Sequence, residues 1–246
     1  MTLRQRRSSV RKYGGLLLAC LASICSAGEL LAESNPRDPY EHVNRALFAV
    51  NEVVDVYAAK PVAQVYDKLL PLPAKVGVGN FFGNAGDLWI GVNSALQGKL
   101  SDAGIDISRL LINSTVGIFG LFDVASELGL DKHDEDFGQT LAVWGAGDGG
   151  YLFVPVIGPR TLRDVAGWVV DSSGDLVWSA RPISSRNSMV AIRFVDIRAS
   201  LLPADKVVEE AALDKYSYIR DAYLQRRRNQ IFDGRPPRLD DQCISG

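Results

Sequence analysis

Beyond residue 27, no segment of this chain offers the ~20 consecutive apolar residues that a membrane-crossing helix needs. Apolar residues arrive instead in short runs, cut repeatedly by 23 glycines and 11 prolines. A bundle of spanning helices is therefore excluded. So is wholesale disorder, because 47% of the residues are hydrophobic and 246 residues are ample to bury a core. What remains is a fold of short and medium helices joined by sharp breaks.

Residues 42–59 contain neither glycine nor proline and Pro61 follows, so a helix is expected there. Val43, Leu47, Val50, Val54 and Tyr57 repeat at helical spacing, yet Ala46, Phe48, Val53 and Val56 are apolar off that stripe. Asn44, Arg45, Asn51, Glu52 and Asp55 form only a narrow polar strip. A helix apolar nearly all round sits deep in a core or against lipid. Pro61, Pro71 and Pro73 are expected to cut the next stretch into short helices, and residues 85–96 and 103–112 read as helices again. The run 116–125 is apolar around Gly117 and Gly120. Residues 130–136 read as an acidic, hydrated turn, and residues 145–150 as a flexible glycine loop. Residues 151–157 read as an extended apolar run closed by Gly158 and Pro159. Thr161 is the expected N-cap of a helix through Asp171. Residues 205–231 read as one long charged helix capped by Asp205, with Arg226, Arg227 and Arg228 favourably near its C-terminus. The pattern implies one mainly α domain, residues 28–232, with a polar tail at 233–246.

The chain opens with an address. Arg4, Arg6, Arg7, Arg11 and Lys12 precede an apolar run at 16–25, which Ser26, Ala27 and Gly28 close. That order is a secretory signal peptide, residues 1–27. Two cleavage schemes stay open: after Ala27, or before Cys20 in the lipobox-like Leu17-Leu18-Ala19-Cys20, which would make Cys20 the lipid-bearing N-terminus. Removal of residues 1–27 takes five basic residues and no acid. It leaves 22 basic against 29 acidic residues and moves the net charge from −2 to −7. An acidic mature body argues against nucleic acid as the partner. Beyond the leader only Cys243 remains, so neither an internal disulfide nor a cysteine metal site is expected.

Residues 145–150 match the letters G-x-G-x-x-G, but an extended, proline-containing segment follows where a dinucleotide fingerprint must open a helix. Gly98-Lys99 lacks the spacing of a phosphate loop, with Leu100 in place of its Ser or Thr. No G-x-S-x-G elbow exists. His133 lies among Asp131, Asp134, Glu135 and Asp136. Those are residue types of an acid–base or metal site, but calcium-loop spacing is absent and a solvated turn is the simpler reading.

Several distinctive blocks follow one another along the chain. They are Asp38-Pro39-Tyr40-Glu41 with Asn44-Arg45, then Gly79-Asn80-Phe81 and Asn93 with Leu96-Gln97-Gly98. Arg109 to Gly117 follows, with Gly120 to Ala125. Next come Asp136 to Leu141, Trp144-Gly145 and Gly158-Pro159 through Asp164, and last Tyr218 to Tyr223 with Arg226. Together they resemble the MlaA (VacJ) family of outer-membrane lipid-asymmetry lipoproteins. The resemblance implies a ring-like, membrane-embedded helical channel with no cofactor and no enzymatic activity. Such a channel passes phospholipids mislocalised in the outer leaflet of the outer membrane to a periplasmic lipid carrier of the same pathway. Trimeric porins are implied as partners, and the inner leaflet and periplasmic face as the location. By the same resemblance Asn44, Arg45, Phe48 and Asn51 are expected along the lipid path. Gly145, Gly147, Gly149 and Gly150 are expected in its gating loop, and Cys20 as the lipidation site. Two other readings stay open: a structural lipoprotein that only binds porins, and a periplasmic hydrolase built on His133.

Overall fold

The computed structural model describes residues 35–237. Cys20, Cys243 and both cleavage schemes lie outside the described residues. The chain begins with α1 (Glu41–Val54), a π-helical turn (Asp55–Ala59) and α2 (Lys60–Leu69). Helices α3 (Leu72–Leu96), α4 (Leu100–Thr115), α5 (Val124–Glu127) and α6 (Phe137–Val143) follow. A hairpin comes next, β1 (Tyr151–Val154) antiparallel to β2 (Gly158–Thr161), with Tyr151 opposite Thr161 and Val154 opposite Gly158. Then come α7 (Leu162–Gly174), α8 (Leu176–Ser179), α9 (Ile183–Ser200), α10 (Leu202–Ala211) and α11 (Lys215–Ile231). Helix α2 packs on α9, α9 on α3, α3 on α6, α6 on α11, α11 on α10, and α10 back on α2. The helix contacts thus close a circuit, and the expected single, mainly α domain is the one formed.

Three boundaries differ from the sequence expectation, each for a local reason. Pro61 does not end the first helix. The wider turn at 55–59 precedes it, and proline sits in the first turn of α2, where its missing N–H costs little. Pro73 likewise falls in the first turn of α3, so the helix expected at 85–96 begins at Leu72. The long helix expected at 205–231 is two, broken at 212–214. The side chain of Asp214, not Asp205, caps the second by accepting from the Tyr216 amide. Asp205 instead binds Arg198 at 2.8 Å and Lys60 at 3.2 Å. Thr161 caps α7 as expected, accepting from the Asp164 amide at 3.2 Å.

The π turn also sets which way the apolar residues face. Val50, Val54 and Tyr57 are exposed, and so are Val62, Val65 and Leu69. In an unbroken α-helix the second set would lie about 100° round from the first. One extra residue in the turn takes up about that angle, so the two sets share a side. Asp55, within the turn, is left facing Arg198, which grips it through two bonds of 2.6 and 2.7 Å.

Burial is inverted relative to an ordinary soluble domain. Among the described residues, sixteen polar or charged side chains are buried against nine apolar ones. Large apolar side chains stand exposed along most helices, Tyr57, Leu69 and Phe119 among the most open. The small apolar core is the cluster of Tyr151, Phe153 and Tyr216, with Leu47, Phe48, Tyr223 and Leu224 packed on it. Elsewhere the interior is held by charged networks. Arg109, 1% exposed, grips Asp123 with two bonds of 2.9 and 3.0 Å and donates to Ser126 and to the Leu130 carbonyl.

Residues 130–136 are the clearest departure from the expected hydrated turn. Lys132 reaches Asp87, His133 meets Asp106 at 2.9 Å, Glu135 accepts from Gln97 and Lys99, and Asp136 takes two bonds of 2.6 Å from Arg227. The segment is a strap between α3, α4 and α11, because α3 and α4 bury more charge along their seam than their own side chains pair.

Helices α6 and α7 cross where glycines let the backbones touch. A Cβ on Gly138 would overlap the Arg227 guanidinium and stand 2.6 Å from Asp164. Gly138→Ala is therefore expected to lower stability by about 1–3 kcal/mol through overpacking. Thermal unfolding of the purified variant beside the parent checks it, and an unchanged midpoint would contradict the contact.

Candidate functional site

The residues expected along a lipid path and those of the expected gating loop lie about a hundred positions apart, yet the fold brings them to one hairpin. Asn44 is fully buried on α1. Its amide donates to Asp38 at 2.8 Å and to the Tyr151 carbonyl at 3.0 Å, and its oxygen accepts from the Phe153 amide at 2.9 Å. It thereby continues the pairing of β1 on the edge that β2 leaves open. Asn51, two turns on, accepts from the amide of Val156 at 2.8 Å. Val156 is the hairpin tip and has φ of +71°, a strained value for a β-branched residue. Phe48 lies between these asparagines and meets Phe153 and Tyr216 edge-on, at 5.2 and 5.7 Å between ring centroids. Arg45 faces outward to α11. It binds Asp214 at 2.6 Å and Glu41 at 2.8 Å, and its guanidinium lies 4.5 Å over the Tyr216 ring. Its pKa is raised further by those hydrogen bonds, Asp214 first, so it is charged at every working pH.

The glycine loop is fastened to the same hairpin. Gly145 and Gly149 have φ of +92° and +66°, values closed to proline and costly for other residues. A Cβ on Gly150 would stand 2.8 Å from Pro39 and Tyr40, so the loop passes against the start of α1. Gly147 has open space around it. The Ala146 amide bonds to the Leu141 carbonyl at 2.9 Å and the Arg163 amide to the Asp148 carbonyl at 3.2 Å, while the Arg163 side chain pairs with the Asp148 carboxylate. The loop expected to be flexible is thus tied at both ends, with Gly147 the open point between the ties.

Sequence reasoning left out the groups beneath. Asp38 is buried and takes bonds from Tyr216 at 2.5 Å and Arg220 at 3.3 Å. Asp164 is buried between Arg227 at 2.8 Å, Tyr223 at 2.5 Å and Arg163 at 3.3 Å. Burial alone would push the Asp164 carboxyl up, but the Arg227 charge and the bonds from Tyr223 and Arg227 outweigh it and hold it below the usual range. Burial pushes Tyr151, Tyr216 and Tyr223 up, with Asp38 or Asp164 adding to it, so all three stay neutral. The available signal was a run of charged residues inside family blocks. Nothing in the sequence marks them as buried.

Three donors around this hairpin are buried without an acceptor among the described residues: the Tyr151 hydroxyl and the Nε atoms of Arg160 and Arg163. The residues around His133 do not converge on one another. His133 turns to Asp106, Asp134 to Arg226 and Gln230, Glu135 to Lys99, and Asp136 to Arg227. The arrangement is that of fasteners: Asp134 and Asp136 are spent on α11, and Glu135 on Lys99 and Gln97 at the ends of α4 and α3.

These networks set an acid limit. Asp123 would be raised by burial, but hydrogen bonds from Ser126, Asn113 and Arg109 bring it down to about 2. Asp55 is lowered by Arg198, and Asp164 is lowered as described. A carboxyl depressed below its unfolded value near ~3.9 lends stability that is complete above that value and is lost as pH falls through the folded one. Asp87 and Asp171 are raised by burial and work the other way, but they are fewer. The thermal midpoint is expected to fall as pH drops from about 4 to about 2. Circular dichroism melts across that window check the sign, and a midpoint constant or rising there would contradict it.

Charged groups inside and large apolar side chains outside define a class: a helical protein with an apolar surface. No helix among the described residues is long and apolar enough to cross a membrane. The comparisons narrow the class. The model of the MlaA lipoprotein family matches residues 36–230, and the chain belongs to that family. The intermembrane phospholipid transport system lipoprotein MlaA of Escherichia coli K12 is 33% identical over 229 residues, covering 91% of this chain and 88% of that protein. The Haemophilus influenzae protein of the same name is 28% identical, covering 89% and 91%. An uncharacterised Rickettsia bellii protein is 34% identical over 200 residues, covering 79% and 76%. A chain solved in work on the structural basis for maintenance of bacterial outer membrane lipid asymmetry is similar with a TM-score of 0.69 and 31% identity. The match covers 80% of this chain and 99% of that one.

Proposed function

We propose that this chain is the outer-membrane lipoprotein of an intermembrane phospholipid transport system. It acts as a passive channel that takes phospholipids mislocalised in the outer leaflet and delivers them to a periplasmic carrier. The inverted burial carries the reading: a closed circuit of helices with apolar side chains outward and charged networks inward supplies an amphipathic path through one leaflet. The names of the Escherichia coli and Haemophilus influenzae relatives support it. The protein sits in the inner leaflet with its periplasmic face open to the carrier, and trimeric porins hold it there. Arg45, Phe48 and Asn51 edge the path. Asn44 sets the hairpin that flanks it, and Gly145, Gly147, Gly149 and Gly150 form the movable edge. The pathway's energy comes from partners, and this chain performs no catalysis.

The test is complementation. In a bacterium lacking its own MlaA, expression of this chain is expected to return surface-exposed phospholipid, measured by outer-leaflet labelling, to the level of the intact strain. Porin co-purification with no change in surface phospholipid would instead favour a structural role. If His133→Ala abolished complementation while the purified variant melted like the parent, the hydrolase reading would return.

A further inference from the structure

The connection between α4 and α5 is unlike the other turns. Residues 116–122 carry no charge, and Val116, Ile118, Phe119 and Phe122 are exposed, Phe119 by 76%. Ile118 and Phe119 stand at φ of +52° and +56°, the left-handed region that β-branched and aromatic residues avoid at a cost on the order of 1–2 kcal/mol each. Such strain persists only where the surroundings over-determine it. Here they do. Asn113 donates to Asp123 at 2.9 Å and accepts from the Ala125 amide at 2.9 Å, while Arg109 grips Asp123 from the buried side. The buried network therefore holds four large apolar side chains outward in a fixed shape.

The backbone identifies what the turn meets. The amides of residues 116, 117, 119, 120, 121 and 122 each donate within residues 112–122, at 2.7 to 3.2 Å. In hydrocarbon a backbone group has no water to turn to and must be satisfied internally, which helices normally achieve and irregular loops do not. Six of the seven amides of this turn are so satisfied without forming a helix. It also continues an apolar surface: Asn80 of α3 donates to the Leu121 carbonyl at 3.3 Å, and Val76 and Leu72 on the same end of α3 are exposed.

We propose that residues 116–122 form a rigid wedge that inserts into the acyl region of the bilayer and fixes how deep the protein sits. The proposal rests on the membrane reading above, and its test separates the two. The mature full chain carrying Phe119→Cys in a Cys243→Ser background is labelled with a nitroxide and reconstituted into phosphatidylethanolamine–phosphatidylglycerol vesicles. Saturation by oxygen and by a water-soluble nickel chelate then reports depth. The label at 119 is expected to be open to oxygen and closed to nickel, deeper than a label at Val65→Cys on α2. If 65 reads as lipid and 119 as water, the wedge is overturned and the membrane reading stands. If both read as water, both fall. A second variant, Phe119→Asp with Phe122→Asp, changes only exposed side chains, so its melt should match the parent. Its partitioning into the same vesicles is expected to drop roughly tenfold or more, and equal partitioning would overturn the proposal.

Discussion

Replacing Arg227 with methionine is expected to cost about 3–5 kcal/mol and to lower the thermal midpoint by roughly 10 °C. The guanidinium is 6% exposed and joins three elements: Asp136 at the start of α6, Asp164 in α7, and its own helix α11. Methionine fills the volume but leaves Asp164, 1% exposed, with only Arg163 at 3.3 Å as a counter-charge and the Tyr223 hydroxyl at 2.5 Å as a donor. Removing one partner of a buried pair costs more than the pair itself contributes, because the stranded charge has lost water and gained nothing. Two comparisons make the expectation specific. Arg226→Met, next door but 74% exposed against an exposed Asp134, should cost less than ~1 kcal/mol. Adding Asp136→Asn and Asp164→Asn to Arg227→Met should recover part of the loss, since no charge then remains stranded. Equal melts for Arg226→Met and Arg227→Met would sink the account of the interior as a charged fastening.

The second large effect is expected from Asn44→Leu. Leucine keeps the size but strips bonds from the Tyr151 carbonyl, the Phe153 amide and the Asp38 carboxylate at once. Each buried group left short costs about 1–3 kcal/mol, so the loss should be roughly 3 kcal/mol or more. It should also be local. Hydrogen exchange at residues 151–161 should accelerate well beyond that in α3 and α4, because β1 has lost its bonds to Asn44 while the Arg109 network is untouched. Asn51→Ala removes a single bond to the hairpin tip and should cost about 1 kcal/mol. On the proposed function, Asn44→Leu with Phe48→Ala should raise surface phospholipid in the complemented strain. Exchange at 151–161 that stayed at parental rates would show that the hairpin is held elsewhere.

Both effects depend on residues whose importance has different visibility in the chain. Asn44 lay on a polar strip of an apolar helix, so the sequence marked it as unusual. Its partners lie in a hairpin more than a hundred residues away, and no periodicity reports them. The resemblance to a family carried Asp38 and Asn44 as letters without saying that they were buried. Arg227 was read as a charge complementing a helix end, a surface role, and the fold uses it at the centre. His133 and its neighbouring acids looked like one cluster because they are adjacent in the chain. An irregular segment lets successive side chains diverge, so His133 turns to α4, Glu135 to Lys99, and Asp134 and Asp136 to α11.

The sequence by itself determined the class of fold and its boundary conditions: short and medium helices, no crossing segment, and apolar residues too evenly spread round α1 for a water-facing surface. Helical periodicity, Gly and Pro punctuation and capping are local, so they survive in one dimension. Only the tertiary structure decided which way each face turns. The π turn rotates the apolar stripe of α2 into line with that of α1 by about 100°. Buried ion pairs draw the charges of four helices, α4, α7, α9 and α11, inward, and the apolar side chains are left outside. In sequence a charge reads as solvent-facing, because an unpaired charge cannot be buried. It becomes an interior residue only when its counter-charge arrives from elsewhere in the chain, and that pairing exists only in three dimensions.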